Sequence, residues 1–536
     1  MNQPKNPSFF EPKTLIAVAT VAIVYFGWQS YLSDKYPSYG KRPQTPVAQT
    51  ETAAAPQDAA AVNVKDNADI KSGTVTPPIA EKIFPVKNDK FAYALTSDGM
   101  GLRSFSIEDY TDKEKDTIKL GVSDTSSLFE MRWAGNDKPI NFDVKEEAPG
   151  FFTGVAQVGE MTIRREMKFN SENSSFENKV SFTNPTDELK NGFSLVIPEL
   201  IHTPKSSGLS FLFPSYEHQD FFVGHNGKTD TVNFSAAKED FTKDFATTHL
   251  ISVGSQYFAS AILDKSEIIP EVKVSANIQK KTAMAELTYK PAQLKPEMTF
   301  TQVLYAGPKS IDSLKAVDPE LAHIIDFGFF GFIARPLLYV MKAFYTVAGN
   351  WGVAIILLTL LVRLCVLPFN IMSMKSMKAM QKVQPAIQKI REKYKDDPMR
   401  LNQEMMATMK AHGANPIGGC LPMLLQIPIF FALYRVIGSS IELYNSPFVL
   451  WITDLSSYDK FYVLPVLMAV FMYLQQKMTP STMDPTQAKI MAFLPLIFSI
   501  FMLQLPSGLT LYMVVSTGFG IIQQYILMRE PKSAKA

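Results

Sequence analysis

The chain has 536 residues, with 53 Lys plus Arg against 51 Asp plus Glu, and its formal net charge of +2 says little until the charges are placed. Its length allows two or more domains, and two cysteines exclude a disulfide-built fold. A composition 46% hydrophobic and 19% charged sits near the soluble average and hides a membrane protein, because the apolar residues gather in a few runs around a long polar middle.

Residues 1–13 read as a cytoplasmic N-terminus and 14–32 as a transmembrane signal anchor. Lys5 and Lys13 precede the run LIAVATVAIVYFGW, and Tyr25, Trp28 and Tyr31 rim its far end. No small-x-small site follows the apolar core, which favours retention over cleavage. Residues 33–78, rich in Pro, Ala, Thr and Gln, cannot bury a core and read as a flexible linker outside the membrane.

From 79 to 320 the texture is short alternating segments such as MTIRREMKFN and SSFENKVSFTN, separated by Gly, Asn, Asp and Pro. Period-two alternation predicts a large β-sandwich domain. Its histidines, His202, His218, His225 and His249, are scattered without ligand spacing, and no nucleophile motif accompanies them. Residues 321–346 are aromatic-rich, with Ile325, Phe329, Phe332, Ile333, Leu337, Val340, Met341 and Phe344 at three-and-four spacing, and predict an amphipathic helix in the outer interface.

Five apolar runs follow, at 350–370, 417–441, 461–476, 489–505 and 508–528; with the anchor they make six spans. The runs at 461–476 and 489–505 fall short of the ~20 residues a span needs, and sixteen helical residues cover only ~24 Å. Such helices thin the bilayer or border a water-filled recess. Cys365 and Cys420 lie inside two of these runs and read as reduced packing residues.

Loop charge sets the topology. The segment 371–416 carries Lys375, Lys378, Lys382, Lys389, Arg391, Lys393, Lys395, Arg400 and Lys410 against Glu392, Asp396, Asp397 and Glu404, which places it in the cytoplasm. The loop 442–460 is net acidic, 477–488 is an inner loop and 529–536 a basic cytoplasmic tail, so both termini lie inside and the β domain outside. Within 371–416, Met374, Met377, Ile387, Ile390 and Tyr394 mark one helix and Leu401, Met405 and Met409 its return, with Asp396–Pro398 as the break. Lys382, Lys389, Arg391, Lys393 and Arg400 give this hairpin a basic surface, suited to solvent, anionic headgroups or ribosomal RNA.

One residue breaks the pattern. Arg363 interrupts AIILLTLLVRLCVLPFN, where translocon scales charge ~2.5 to 3.5 kcal/mol for a central Arg. Seven residues, ~10 Å of rise, separate it from Asn370, a long reach for snorkelling. No Asp or Glu lies in the other spans to pair with it. A hydrated recess open to the cytoplasm remains, with Thr359, Gln426, Tyr434, Gln523 and Gln524 as lining groups and Pro422, Pro428, Pro465 and Pro495 kinking the helices around it. A positive recess with apolar walls suits an amphiphile in transit, such as a polypeptide with an acidic leading end, better than an ion.

The segments LTLLVRLCVLPFN, NPIGGCLPMLLQIPIFFALYRVI, IMAFLPLIFSIFMLQLPSGLTLYMVVS and IIQQYIL closely resemble the YidC membrane-protein insertases of Gram-negative bacteria. The resemblance covers His323 to Arg529 by motif, and the anchor and outer domain by architecture. It implies a polytopic α-helical membrane protein with a five-helix core around a hydrophilic groove, and a periplasmic β-sandwich like that of galactose mutarotases without sugar activity. The groove arginine would be Arg363, and the path of an inserting helix would pass Thr359, Phe430, Met468, Phe501 and Tyr512. The expected function is a membrane-protein insertase and folding chaperone of the inner membrane, acting alone or with the Sec translocon on nascent membrane proteins, without cofactor or covalent chemistry. Membrane lipids are expected partners, and ribosome contact would fall to the hairpin because the tail is short. A transporter for a small anionic or amphiphilic solute is the alternative, disfavoured by the lack of an internal repeat.

Overall fold

The strand Met161–Asn170 shows how the alternating pattern becomes structure. Met161, Ile163, Arg165 and Met167 turn inward while the residues between them face outward. The computed structural model describes residues 81–112, 115–123, 126–202, 217–225, 228–395, 397–412, 416–478, 498–500 and 502–528. The expected N-terminus, anchor and linker (1–78), the tail (529–536) and most of the loop and span between 477 and 505 lie outside the described residues.

Strands form three antiparallel sheets. The largest runs, edge to edge, Lys228–Asn233, Gln219–His225, Thr248–Ser255, Phe258–Asp264, Glu297–Pro308, Ser175–Thr183, Met161–Asn170, Phe151–Val158 and Asp143–Ala148. A five-stranded sheet runs Phe241–Phe245, Glu271–Asn277, Thr282–Tyr289, Phe193–Leu200 and Met131–Trp133. The third is a four-stranded meander of Ile83–Lys87, Phe91–Thr96, Leu102–Thr111 and Thr117–Leu120. Both smaller sheets pack on one face of the large one. Phe193 and Tyr289 meet Phe300 at centroid distances of 5.0 Å, and Tyr93 meets Phe169 and Phe176 at 4.9 and 5.4 Å. Aromatic pairs in this range add to the area they bury.

The opposite face of the large sheet rests on helices. Phe222, Leu250, Ala261, Leu263 and Tyr305 join a second core with Ile311 and Leu314 of a short helix and Leu321 and Ile324 of the 3-10 turn after it. That explains Phe258–Asp264, where every residue is buried: it is covered on both faces and so reads as a continuous apolar run.

Eight α-helices are described: α1 (Glu188–Asn191), α2 (Ile311–Val317), α3 (Gly331–Ala348), α4 (Trp351–Lys393), α5 (Pro398–Ala411), α6 (Pro416–Ser439), α7 (Val463–Met478) and α8 (Ser507–Met528). In α3 the stripe buried by protein is Ala334, Leu338 and Met341, while Phe332 and, just before the helix, Phe329 are exposed. Gly349, at φ 63°, ends α3 in the left-handed conformation that glycine adopts without a Cβ clash, and Asn350 caps α4 by accepting from the Val353 N–H at 3.1 Å. The turn between them thus needs both residues.

The span expected at 350–370 and the first arm of the expected hairpin are one continuous helix of 43 residues, ~65 Å long. That is about twice a hydrocarbon core, and Pro368 and Pro385 do not end it. The hairpin turns where Asp397 accepts from the Arg400 N–H at 3.0 Å with Pro398 in the first turn, and Met380, Val383, Ile387 and Met409 bind its two arms together. Two described helices, Trp351–Lys393 and Ser507–Leu527, are long and apolar enough to cross a membrane.

The β domain and the helices interlock. Ile441 enters the sandwich core, and Tyr444 packs against Tyr257 and Phe258 at 4.9 and 5.3 Å. Beside them Lys342 of α3 bridges Glu442 at 2.6 Å and Asp312 of α2 at 2.8 Å. The two carboxylates offset the cost of burying its ammonium and hold that group above the usual lysine range.

Candidate functional site

Helices α4 and α8 run side by side in parallel, in one register. The Arg363 guanidinium donates to Ser516 Oγ from Nε at 2.9 Å and from Nη2 at 2.5 Å. The Asn370 amide donates from Nδ2 to Gln523 Oε1 at 3.4 Å. Both pairs are separated by 153 positions in sequence. The same offset relates Ile355 to Gly508, where an added Cβ would stand 3.2 Å from the Ile355 Cδ1, and Thr359 to Tyr512. Positions 355, 359, 363 and 370 share one face of a helix, since steps of four and seven nearly close whole turns. The seam grows more polar along its length, from Ile355 through Thr359 and Arg363 to Asn370.

Around this seam the structure collects most of the expected residues. Gln426 of α6 donates from Nε2 to the Tyr512 hydroxyl at 2.5 Å, which ties a third helix to it. Phe430 and Tyr434 continue up the Gln426 face, half-buried, with rings 6.3 Å apart. Met468 of α7 is fully buried, and Tyr512 and Gln523 nearly so. Thr359 is also fully buried and returns its hydroxyl to the Ile355 carbonyl at 2.6 Å. Phe501 lies outside the described residues. Cys365, expected to pack, is exposed instead: two residues past Arg363 it points ~200° around the helix from the seam.

The hairpin cations stand apart from this cluster. Lys382 lies ~28 Å further along α4 than Arg363; Lys382, Lys389, Lys393 and Arg400 are exposed and Arg391 half-buried. Lys393 and Arg400 both approach the Tyr394 ring, at 5.2 and 5.6 Å, and so converge at the tip.

Sequence reasoning missed Ser516 and Asn370. Ser516 stands one turn after Tyr512 and Asn370 two turns after Arg363, so each shares a face with a named residue; the register between the helices, which makes them partners, leaves no trace in either sequence. It also missed Arg165 in the β domain, fully buried, donating to the carbonyls of Gly99 and Phe129 and to Asn178 Oδ1. Its signal was parity: an arginine at an inward position of an alternating strand. A cavity of about 340 Å³ lies at the edge of the five-stranded sheet. It belongs to the β domain, and the Asp240 Oδ1 on its wall already accepts the Ile278 N–H.

Two family models together cover nearly all the described residues: the YidC periplasmic domain matches residues 84–340 and the 60Kd inner membrane protein family matches 343–534. The chain is 44% identical over 309 residues to the membrane protein insertase YidC of Geobacter sulfurreducens, covering 56% of this chain and 58% of that one. It is 31% identical over 536 residues to the membrane protein insertase YidC of Geotalea daltonii, covering 96% of this chain and 98% of that one. Among solved structures, the crystal structure of an active YidC insertase with its first transmembrane domain resolved matches at 19% identity and a TM-score of 0.39, over 83% of this chain and 93% of that one. The chain belongs to the YidC family of membrane protein insertases.

Proposed function

We propose that this chain moves hydrophobic segments of nascent membrane proteins from the cytoplasm into the inner membrane along the α4–α8 seam. Arg363 acts as the fixed charge that draws in an acidic leading end. The observation that supports this most directly is the state of that guanidinium. It is held at one end by the neutral Ser516 hydroxyl, and among the described residues no carboxylate pairs with it. Ser516 orients the group without cancelling its charge. Three of the five N–H donors of an arginine remain for the passenger.

Hydrophobic partition supplies the work. Each Leu or Ile gains about 0.3 to 0.6 kcal/mol at the centre of a membrane helix, so a segment of twenty such residues needs no nucleotide. What the protein lowers is the cost of carrying a polar end through hydrocarbon, where unpaired backbone groups cost several kcal/mol each. The path we assign to the apolar part runs over Phe430 and Met468 with Phe501 and Tyr512, and Thr359, Gln426, Tyr434 and Gln523 complete the walls.

In this reading six spans cross the inner membrane, both termini and the hairpin are cytoplasmic, and the β domain is periplasmic. The basic hairpin faces the ribosome or anionic headgroups, and the Sec translocon is a partner for substrates with large outer domains. The test is insertion into vesicles containing only this chain, scored by protease protection of a single-span substrate with an acidic leading tail. Protection above that of empty vesicles is expected, reduced about tenfold or more by Arg363→Ala. Equal protection with and without the protein overturns the reading.

A further inference from the structure

At the inner end of the seam, Asn370 and Gln523 are 5% and 6% exposed and share one hydrogen bond of 3.4 Å, beyond the usual N–H···O range. Asn370 Oδ1 and Gln523 Nε2 have no partner among the described residues. Facing amides in register can form two bonds at once. These two form one long bond, and turning both amides over exchanges donor for acceptor and leaves the same deficit. A buried polar atom without a partner costs about 1 to 3 kcal/mol, so a pair kept only to join α4 to α8 is poorly built for that task.

We propose that Asn370 and Gln523 form a subsite for the backbone of the incoming chain: Asn370 Oδ1 accepts the N–H of one residue and Gln523 Nε2 donates to the carbonyl of the same residue. A neighbouring acceptor and donor are the complement of the N–H and C=O of one residue in an extended chain, which point to the same side of the backbone, and of no particular side chain, so the recognition is independent of sequence. The ligand is polypeptide that is still extended, because a helical segment has already satisfied its own backbone. Position supports the order of events. Asn370 lies ~10 Å nearer the hairpin than Arg363, so a chain arriving from that side meets the amide pair first and the guanidinium second.

The subsite rests on the insertase reading, and one experiment separates the two. The full chain and its Asn370→Leu variant are reconstituted in vesicles with a synthetic single-span substrate carrying an acidic leading tail. A second substrate replaces one amide of the leading segment by an ester, which removes the N–H and weakens the carbonyl as acceptor; the position is scanned along that segment. With the native chain, one or more ester positions lower the initial rate of protease protection about threefold to tenfold, the worth of one hydrogen bond. With Asn370→Leu the all-amide substrate is slowed by a similar factor and the ester causes no further loss, since both changes remove the same contact. Gln523→Leu gives a second, independent cycle if Asn370→Leu fails to reconstitute. Multiplying losses, or no ester effect at any position, overturn the subsite while leaving the insertase reading intact. No protection with the native chain overturns both.

Discussion

Arg363 and Ser516 meet through two hydrogen bonds to a single hydroxyl, from Nε at 2.9 Å and Nη2 at 2.5 Å. The bond from Nε matters most, because it fixes the plane of the guanidinium and not only its position. Lysine keeps the charge but has no such fork. Arg363→Lys is therefore expected to retain part of the insertion rate of acidic-tailed substrates and Arg363→Ala very little. Ser516→Ala frees the guanidinium and is expected to slow the same substrates about threefold to tenfold. In an Arg363→Ala background the serine substitution should cost almost nothing more. Initial rates of protease protection for the four proteins form the cycle, and a serine effect that persists without the arginine would remove its positioning role.

The β domain is expected to lose its seat when the loop after α6 is loosened. Tyr444 fills a site between Tyr110, Tyr257 and Phe258, and Asn445 Nδ2 donates to the Thr111 carbonyl at 2.7 Å. Tyr444→Ala removes a half-buried ring packed against the core, a smaller loss than the ~3 to 5 kcal/mol of a fully buried aromatic. Faster hydrogen exchange at 440–446 and in Leu102–Thr111 is the expected result. Lys342→Met leaves Asp312 and Glu442 facing each other without their cation and should speed exchange in α3 as well. Unchanged exchange in both variants would mean that other contacts hold the domain.

Much of this architecture was legible because period carries it. MTIRREMKFN could only place Met161, Ile163 and Met167 on one face of a strand. What periodicity cannot carry is the identity of the partner. The offset of 153 that joins Arg363 to Ser516 is a property of two helices separated by 113 intervening residues, counted from Lys393 to Ser507. The length of α4 was obscured by the change of composition after Asn370, where the apolar run gives way to a charged segment although the helix continues.

Arg165 carries a prediction for the β domain alone. Burial pushes its guanidinium down to about 9, with Glu130 opposing that fall, and it donates to two carbonyls and to Asn178 Oδ1. From Asn178 the chain of bonds continues through Gln302 and Tyr289 to Asp264. Arg165→Met fits the volume but leaves Gly99, Phe129 and Asn178 facing apolar atoms. A loss of about 3 to 5 kcal/mol is expected, since three buried acceptors lose their donor at about 1 to 3 kcal/mol each. Thermal unfolding of the full chain in detergent checks it, and a variant as stable as the native chain would show that water replaces the guanidinium at no cost.

Glu199 gives the domain a pH dependence of defined sign. Its carboxyl is enclosed with no cation paired to it among the described residues, accepts from the Gly121 N–H at 3.3 Å, and is pushed by burial up to about 8. The folded state therefore holds a proton there that the unfolded chain releases near 4.5, the ordinary value for this group. The stability this lends is fully present below about pH 4.5 and is lost as pH rises towards 8, by at most ~1.4 kcal/mol per unit. Glu199→Gln keeps an acceptor for Gly121 and cannot ionise. The difference in Tm between the variant and the native chain should thus be small at pH 5 and grow to several degrees in favour of the variant at pH 8. Subtracting the two curves removes every other titrating group they share, so a difference that stays flat from pH 5 to 8 would place the Glu199 carboxyl in contact with water.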